Sequence, residues 1–540
     1  MQMKMSLLCL GIGAALAITG APAAAAPAQA AWVATATHAH ALAATTSLGN
    51  LAEPGMPVHI AVALKVQNRA ALDAFIADAH NPASPMFHAR LQPRDVVSTF
   101  APSAAQVQAV VEHLRRAGFT HISVAPNHLL VSADGTAAGA QAAFGTRLVR
   151  TQDAQGHAAY ANLDDARVPA ALGGTVLSVI GLQTVSHAHT MIQPASKTSG
   201  KPGSGGGTSG SIVGHNPTTF PTIYNVGSTP NASTVTVGII SDGNMTQPLK
   251  DLGSFTSANG LPAVNTQVVV VGAAGTDTGG TPEWDLDSQD IVGMSGGVAK
   301  LIFYTATSLS NSALTAAYNR AVSDNTARVI NVSLGECETS AYQDGSMAAD
   351  DQIFALGVAQ GQTFSISTGD SGSNECSSSP RGKTPSYPAS SPYVIAVSGT
   401  TLGTGAANSW AGETLWSKSG GSPSTLEPKP SWQTKGDSMR DVADVAFDGD
   451  PNSGAVIIVN GSNAQYGGTS LSAPLFAGVW ARMLAGHASL GFAGPHLYAV
   501  PSSVYHDITS GSNGAETATA GWDYASGFGS TIVTNLNSSL

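Results

Sequence analysis

TVTVGIISDG, residues 234–243, is a run of apolar and β-branched residues that stops at Asp242 and Gly243. Around Val237, Ile239 and Ile240 it has no polar side, the pattern of a strand buried on both faces. Five more runs repeat it: TQVVVVGA (266–273), KLIFYTA (300–306), RVINVSLG (328–335), TFSISTGDSG (363–372) and YVIAVSGT (393–400). Helical stretches such as LTAAYNRAVSD (314–324) and MAADDQIFALGVAQ (347–360) lie between several of them. Continuous apolar strands joined by helices predict an α/β domain, a parallel sheet with helices on both faces. In such sheets the ligand site lies beyond the carboxyl ends of the strands. Polar residues at those ends are therefore the first candidates for function.

Upstream the rhythm differs. HIAVALKV (59–66), HLLVSADG (128–135) and VLSVIGL (176–182) read as strands. RAALDAFIADAH (69–80), SAAQVQAVVEHLRRAGF (103–119) and TAAGAQAAFG (136–145) read as helices, with Val107, Val110, Val111 and Leu114 on one face. These segments predict a small α+β domain, which with its flanks spans 31–190. The run SKTSGKPGSGGGTSGS belongs to a Gly/Ser-rich linker expected at 191–212, exposed to proteolysis. A larger domain fills 213–540. The first thirty residues carry Lys4, an apolar run over 7–18 and Ala-x-Ala sites, the pattern of a signal peptide. The run is shorter than the ~20 residues a membrane anchor needs. The expected location is therefore secreted, extracellular or periplasmic, with no membrane partner.

Residues 1–212 carry a charge balance of +3 and residues 213–540 one of −14. Eleven of the fifteen histidines fall in the first part. A histidine-rich, mildly basic segment beside an acidic one suggests mutual contact that acid loosens. The acidic balance argues against nucleic acid as a partner. Once Cys9 leaves with the signal, two cysteines remain, Cys337 and Cys376. An even pair in an oxidising compartment reads as a disulfide, with two buried thiols as the alternative.

GGTSLSAP (467–474) places a glycine pair and Ser470 at the start of a helix that contains Pro474. A serine hydroxyl needs a base, yet no histidine occurs between His215 and His487. In TPEWDLDSQDIVG (281–293), Thr281 reads as an N-cap, Pro282 suits the first turn, and Glu283 and Asp287 stand i, i+4 on one helix face. Read alone, they could simply complement the helix dipole. Two adjacent carboxylates also titrate as a unit and can hold or shuttle a proton. Asp370 follows the strand TFSIS, where a turn aspartate would be the plain reading.

GGTSLSAP is similar to the nucleophile motif of subtilisin-like proteases, but their His-Gly-Thr motif is absent and EWDLD stands instead. The combination resembles the sedolisins, the serine-carboxyl peptidases, and most of all their bacterial pseudomonalisin and xanthomonalisin branch. SPMFHARLQPRDVVSTFAPS, AAFGT, AVSDN, VINVSLG and PASSPYVIAV fit the same branch. The resemblance implies a subtilisin-like catalytic domain behind a ferredoxin-like activation propeptide. It implies a secreted, acid-active endopeptidase made as a zymogen: Ser470 as nucleophile, Glu283 as general base, Asp287 supporting it. Asp370, protonated, and the Ser470 N–H would be the oxyanion donors. Expected partners are protein or peptide substrates and the propeptide itself, as intramolecular inhibitor and chaperone, in a monomer. The resemblance further implies one structural Ca²⁺ held by Asp507, Ile508, Thr519, Gly521 and Asp523, and a disulfide joining Cys337 to Cys376. Glu336 and Glu338, which flank Cys337 beside the expected substrate groove, read as part of a solvated loop, with a role in pocket selectivity as the alternative. The alternative function is a catalytically impaired peptide-binding protein on the same fold. A Ser-His-Asp hydrolase is disfavoured by the empty histidine window.

Overall fold

Strand Pro57–Leu64 carries two different faces, and each decides a packing partner. Ile60, Val62 and Leu64 join an apolar cluster with Val107, Val110, Val111 and Leu114 of helix Ala104–Arg116 and with Phe144 of helix Ala137–Phe144. Ala61 and Ala63, on the other face, cluster with Ile180 and with Ala349 of the C-terminal half. The period-two alternation of a strand thus sends bulky side chains to the domain's own helices and alanines to its neighbour. The strands order as Thr120–Val124, Leu130–Thr136, Pro57–Leu64, Val176–Ile180, all antiparallel. With helices crossing between them, this is the ferredoxin-like α+β arrangement expected for the propeptide. Local signals fix the helix ends: Ser103 and Gln106 form a capping box, and Gly145 closes helix Ala137–Phe144 at φ 61°.

This computed structural model describes residues 31–40, 51–196, 209–377, 379 and 381–540. The expected signal peptide and linker residues 197–208 lie outside them.

In the second half six parallel strands order as Thr266–Val270, Val298–Ala306, Ala232–Asp242, Val329–Val332, Thr363–Ser367, Ile395–Thr404. Val445–Asp448 joins Ile395–Thr404 in parallel, and Trp410–Leu415 adds an antiparallel edge. Helices Thr281–Ser295 and Thr469–Gly486 pack together on the sheet. Asn311–Asp324 and Ser346–Ala359 pack together on its other side.

That second helix pair also carries the N-terminal domain. Asn127 and Asn319 exchange amide hydrogen bonds of 2.6 and 3.1 Å. Gln352 accepts from Val66 N at 2.6 Å and donates to Leu64 O at 2.8 Å, completing the end of strand Pro57–Leu64. Arg90 Nη2 donates to the carbonyls of Ala488, Ser489 and Leu490 at 2.9, 2.6 and 2.6 Å.

The chain then departs from the expected exposed linker at its very start. His189–Thr190 pairs antiparallel with Leu334–Cys337, and Gln193–Pro194 pairs antiparallel with Ser462–Gly467. Two strand edges of the C-terminal domain take up the backbone of this segment, so it is paired at both ends rather than a free tether.

Candidate active site

Helix Thr281–Ser295 begins one residue before the sequence suggested: Gly280 is its N-cap and Thr281 its first residue. A Cβ at Gly280 would stand 2.6 Å from Trp284 Nε1, so the close indole requires a glycine at this cap. Glu283 is 1% exposed and Asp287 0%. Burial raises both carboxyls well above the usual carboxylate range, and the Asp287 charge raises Glu283 further. Two such groups cannot both be charged cheaply, so they share proton and charge as a pair. Asp287 Oδ1 accepts from Ser333 Oγ at 2.6 Å, and Asn331 Nδ2 donates to that Ser333 oxygen at 3.0 Å. These donors favour charge on Asp287.

Hairpin Ala455–Val459 and Ser462–Gly467 leads into Gly468, whose φ of 100° turns the chain into helix Thr469–Gly486. Ser470 lies in the first turn, fully buried. Its hydroxyl is near enough to Glu283 to favour that carboxylate's charge. Its one directed hydrogen bond is long, 3.4 Å to Ser333 O, and both Glu283 oxygens lack a well-aligned donor. We read the Glu283 approach as proximity and not as a formed bond.

The helix start has no side-chain cap of its own. Asp370 supplies one from the loop after Thr363–Ser367: its Oδ1 accepts from Thr469 N at 2.8 Å and Thr469 Oγ1 at 3.0 Å. Oδ2 is buried without a partner that meets hydrogen-bond geometry. Burial pushes this carboxyl up to about 7, the Thr469 donors pull it down, and Glu375 raises it again. The Ser470 N–H donates to Met191 O at 3.1 Å. A Cβ on Gly468 would stand 2.0 Å from that same Met191 O and 2.7 Å from Asp370 Oδ2. The Met191 carbonyl oxygen, held by the Ser470 N–H, and Asp370 Oδ2 thus both lie close to Gly468.

Glu283, Asp287, Asp370 and Ser470 all converge here. Ser333 and Asn331 were not singled out from the sequence, although VINVSLG contains them. Asp290, on the same helix, was also passed over; it is fully buried and raised by burial, with Asp287 and Asp448 adding to it. Glu336 and Glu338 correct an expectation. They are 6% and 0% exposed, not solvated. Glu338 accepts from Ser424 Oγ at 2.7 Å and from Thr425 N and Oγ1 at 3.0 Å, partners distant in sequence. Cys337 and Cys376 form a disulfide with S–S 2.07 Å, tying Leu334–Cys337 to the loop beyond Asp370.

The expected calcium residues close one C-terminal loop. Gly521 N donates to Asp507 Oδ2 at 2.8 Å and Thr519 N to Asp523 Oδ2 at 2.9 Å, while Ile508 is buried. Among the described residues no three His, Cys, Asp or Glu side chains gather as a metal site.

Residues 44–185 match the family described as pro-kumamolisin, activation domain, and residues 268–500 match the subtilase family. A subtilase-type sheet preceded by an activation domain, with buried carboxyls beside the serine, defines the class as a serine-type endopeptidase made as a zymogen. Sedolisin of Pseudomonas sp. (strain 101) is 46% identical over 517 residues, 89% of this chain and 87% of that protein. Xanthomonalisin of Xanthomonas sp. (strain T-22) is 44% identical over 92% of this chain and 66% of its own length. The structure of Pseudomonas sedolisin, a serine-carboxyl proteinase complexed with two molecules of pseudo-iodotyrostatin, matches with a TM-score of 0.60 over 61% of this chain and 98% of that one. The chain belongs to the sedolisin family of serine-carboxyl peptidases.

Proposed function

We propose that this peptidase is secreted and acid-active, with Ser470 as nucleophile, Glu283 as general base and Asp287 as its supporting carboxylate. Asp370 and the Ser470 N–H stabilise the oxyanion. The observation that carries the reading is the Ser470 amide donating to a peptide carbonyl beside Gly468, with Glu283 near the Ser470 hydroxyl and Asp370 Oδ2 close to the same glycine. Ser470 Oγ attacks that carbonyl carbon while Glu283 takes its proton, and the same proton passes to the departing amine. Water then cleaves the ester with Glu283 again as base. The two oxyanion donors are fixed before charge develops, which commonly contributes ~3 kcal/mol each. A carboxylic acid donates only while protonated, which ties the reaction to acid pH. Proteins and peptides are the substrates, and the propeptide, seated on the catalytic domain, is the intramolecular inhibitor. The enzyme acts as a monomer, without nucleic acid or membrane. Among the described residues no helix is long and apolar enough to cross a bilayer.

The reading is tested with Ser470→Ala and Glu283→Gln in purified full-length zymogen, folding checked by circular dichroism. Each should lower hydrolysis of an unfolded protein by roughly 10⁴-fold or more, because nucleophile and base act as a unit. Undiminished activity in Glu283→Gln would move the base elsewhere. Hydrolysis absent from the natural chain as well would favour the impaired, peptide-binding alternative.

One structural Ca²⁺ belongs to the same proposal. Two carboxylates and backbone carbonyls at Ile508, Thr519 and Gly521 are the all-oxygen set a hard cation takes. Asp523 is raised by burial, a cost that a bound cation would relieve. The ion would hold Asp507 and Asp523 at the loop's closure and stay out of the chemistry. Chelation, at a pH where the chelator works, should lower the melting temperature by an amount set by site occupancy, and Asp523→Ala should copy it. Unchanged melting in both would remove the site.

A further inference from the structure

We propose that residues 189–195 are held as the enzyme's first substrate, that the bond joining Met191 to Ile192 is the first one cut, and that Gly335 makes room for Met191. The proposal rests on the catalytic reading above and adds a bond and a selectivity residue to it.

The register carries the argument. Before the bond, Thr190 faces Leu334 and His189 faces Gly335 in antiparallel pairing, and Met191 N donates to Ser333 O at 3.3 Å. Beyond it, Gln193 faces Gly467, Pro194 faces Tyr466, and Ala195 N donates to Gln465 O at 3.0 Å. The segment is thus gripped on both sides of the carbonyl that Ser470 N reaches. Successive carbonyls of an extended chain point to opposite sides, so a one-residue slip would turn this oxygen away from the Ser470 N–H. Upstream, His189 Nε2 lies 3.2 Å from Glu375 Oε1, a further anchor. Downstream, the Gln193 side chain is near enough to Asp370 to favour that carboxylate's charge.

The side chain before the bond is equally constrained. Met191 is 1% exposed. A Cβ at Gly335 would stand 2.9 Å from Met191 Cε and 2.2 Å from Ser386 Oγ. Gly335 therefore forms the seat for the end of a long, flexible apolar side chain, and any larger residue there would fill it. Substrates with Met or a side chain of similar reach should be preferred at the position before the cut.

In the cut, Ser470 Oγ bonds to the Met191 carbonyl carbon and its proton goes to Glu283. The C–N bond to Ile192 then breaks, and the proton leaves with the new amine. Water hydrolyses the Met191–Ser470 ester, leaving a carboxyl on Met191 and restoring the serine. Any trimming within 197–212 follows this step.

The full-length zymogen is taken to acid pH, quenched at short intervals, and read by intact mass and N-terminal sequencing. The earliest new N-terminus should be Ile192. An earlier N-terminus anywhere else, in a protein whose Ser470→Ala form is inert, overturns this proposal and leaves the catalytic reading standing. A Ser470→Ala form that still hydrolyses added protein overturns the catalytic reading instead. Met191→Asp should slow the first cut roughly tenfold or more, since a buried apolar seat rejects charge. For selectivity, Gly335→Ala/Ser386→Ala is compared with Ser386→Ala, which removes the closer clash. On peptides differing only by Met or Ala before the cut, the Met-to-Ala ratio of kcat/KM should fall roughly tenfold with the glycine replaced. The Ala peptide reports that the variant is folded and active. An unchanged ratio removes Gly335 as the determinant. If the double variant does not fold, the Met191→Asp delay decides the seat.

Discussion

Asp370 does two jobs with its two oxygens. Oδ1 caps helix Thr469–Gly486 through Thr469, and Oδ2, buried without a well-aligned partner, is the atom proposed to face the oxyanion. Burial holds the carboxyl near 7, so it is protonated across the acid range. Because its native pKa lies above its ordinary value, its contribution to stability is fully present at low pH and is lost as pH rises through about 7. Activity should follow the same limb, since Oδ2 donates only while protonated. When the segment leaves the cleft, water reaches the carboxyl, its pKa falls, and the alkaline limb of the mature enzyme should shift to lower pH. Asp370→Asn keeps a donor that needs no proton but alters the geometry. We expect kcat to fall by ~10²–10³ at acid pH, with the remaining activity declining less steeply as pH rises. Profiles of identical shape for mutant and natural enzyme would show that another group sets this limb. None of the dual role is legible in STGDSG, because Thr469 lies 99 positions away.

At the scale of elements, helix Thr281–Ser295 works because its interior is acidic. Glu283, Asp287 and Asp290 are buried along it, and each is raised by burial. The i, i+4 spacing of the first two could be read from EWDLD. Their burial could not, since it depends on helix Thr469–Gly486 packing beside them. The same holds for Glu338, whose three donors come from Ser424 and Thr425. Continuous strands were legible because burial on both faces leaves an apolar run. The strand at 189–194 was not, because HTMIQP has no such run and takes its pairing from two distant edges. Ser333 is the positioning residue of this element pair. Removing its hydroxyl deprives Asp287 of a 2.6 Å donor, so the charged form is favoured less and the carboxyl pair protonates at higher pH. In Ser333→Ala the acid limb of kcat/KM should move up in pH and activity at acid pH should fall about tenfold. Ser333→Thr, which keeps the hydroxyl, should restore the profile. An unmoved acid limb in Ser333→Ala would leave Ser333 with a packing role only.

At the scale of the whole molecule, acid should act in opposite directions on two of the places where propeptide and enzyme meet. His189 is raised by its hydrogen bond to Glu375, with Glu375 and Asp370 charge adding to it. A raised histidine contributes fully at low pH and loses its contribution as pH rises through its native value, so acid tightens the grip on the segment in the cleft. The other contact joins His80 and His88 of the propeptide to His496, with His88 and His496 stacked at 6.3 Å. Burial holds all three below the ordinary histidine value, His496 to about 4, and their mutual repulsion, with Arg90 beside His88, adds to this. Arg90 and Arg328 bring further positive charge to this contact, both reaching the Leu490 carbonyl. The sign is reversed here: a lowered histidine favours the closed form above about 6.5, and that contribution drains away as pH falls towards about 4. Acid should therefore loosen the propeptide domain while holding the proposed scissile bond over Ser470. His496→Gln carries no charge at any pH, so the variant lacks part of this acid-driven repulsion. Its zymogen should need a pH lower by roughly half a unit for half-maximal self-cleavage, followed by the rate of loss of full-length mass between pH 6.5 and 4. The His80→Gln/His88→Gln pair should shift it in the same direction. A half-activation pH that does not move in either variant would mean that the trigger lies outside this cluster.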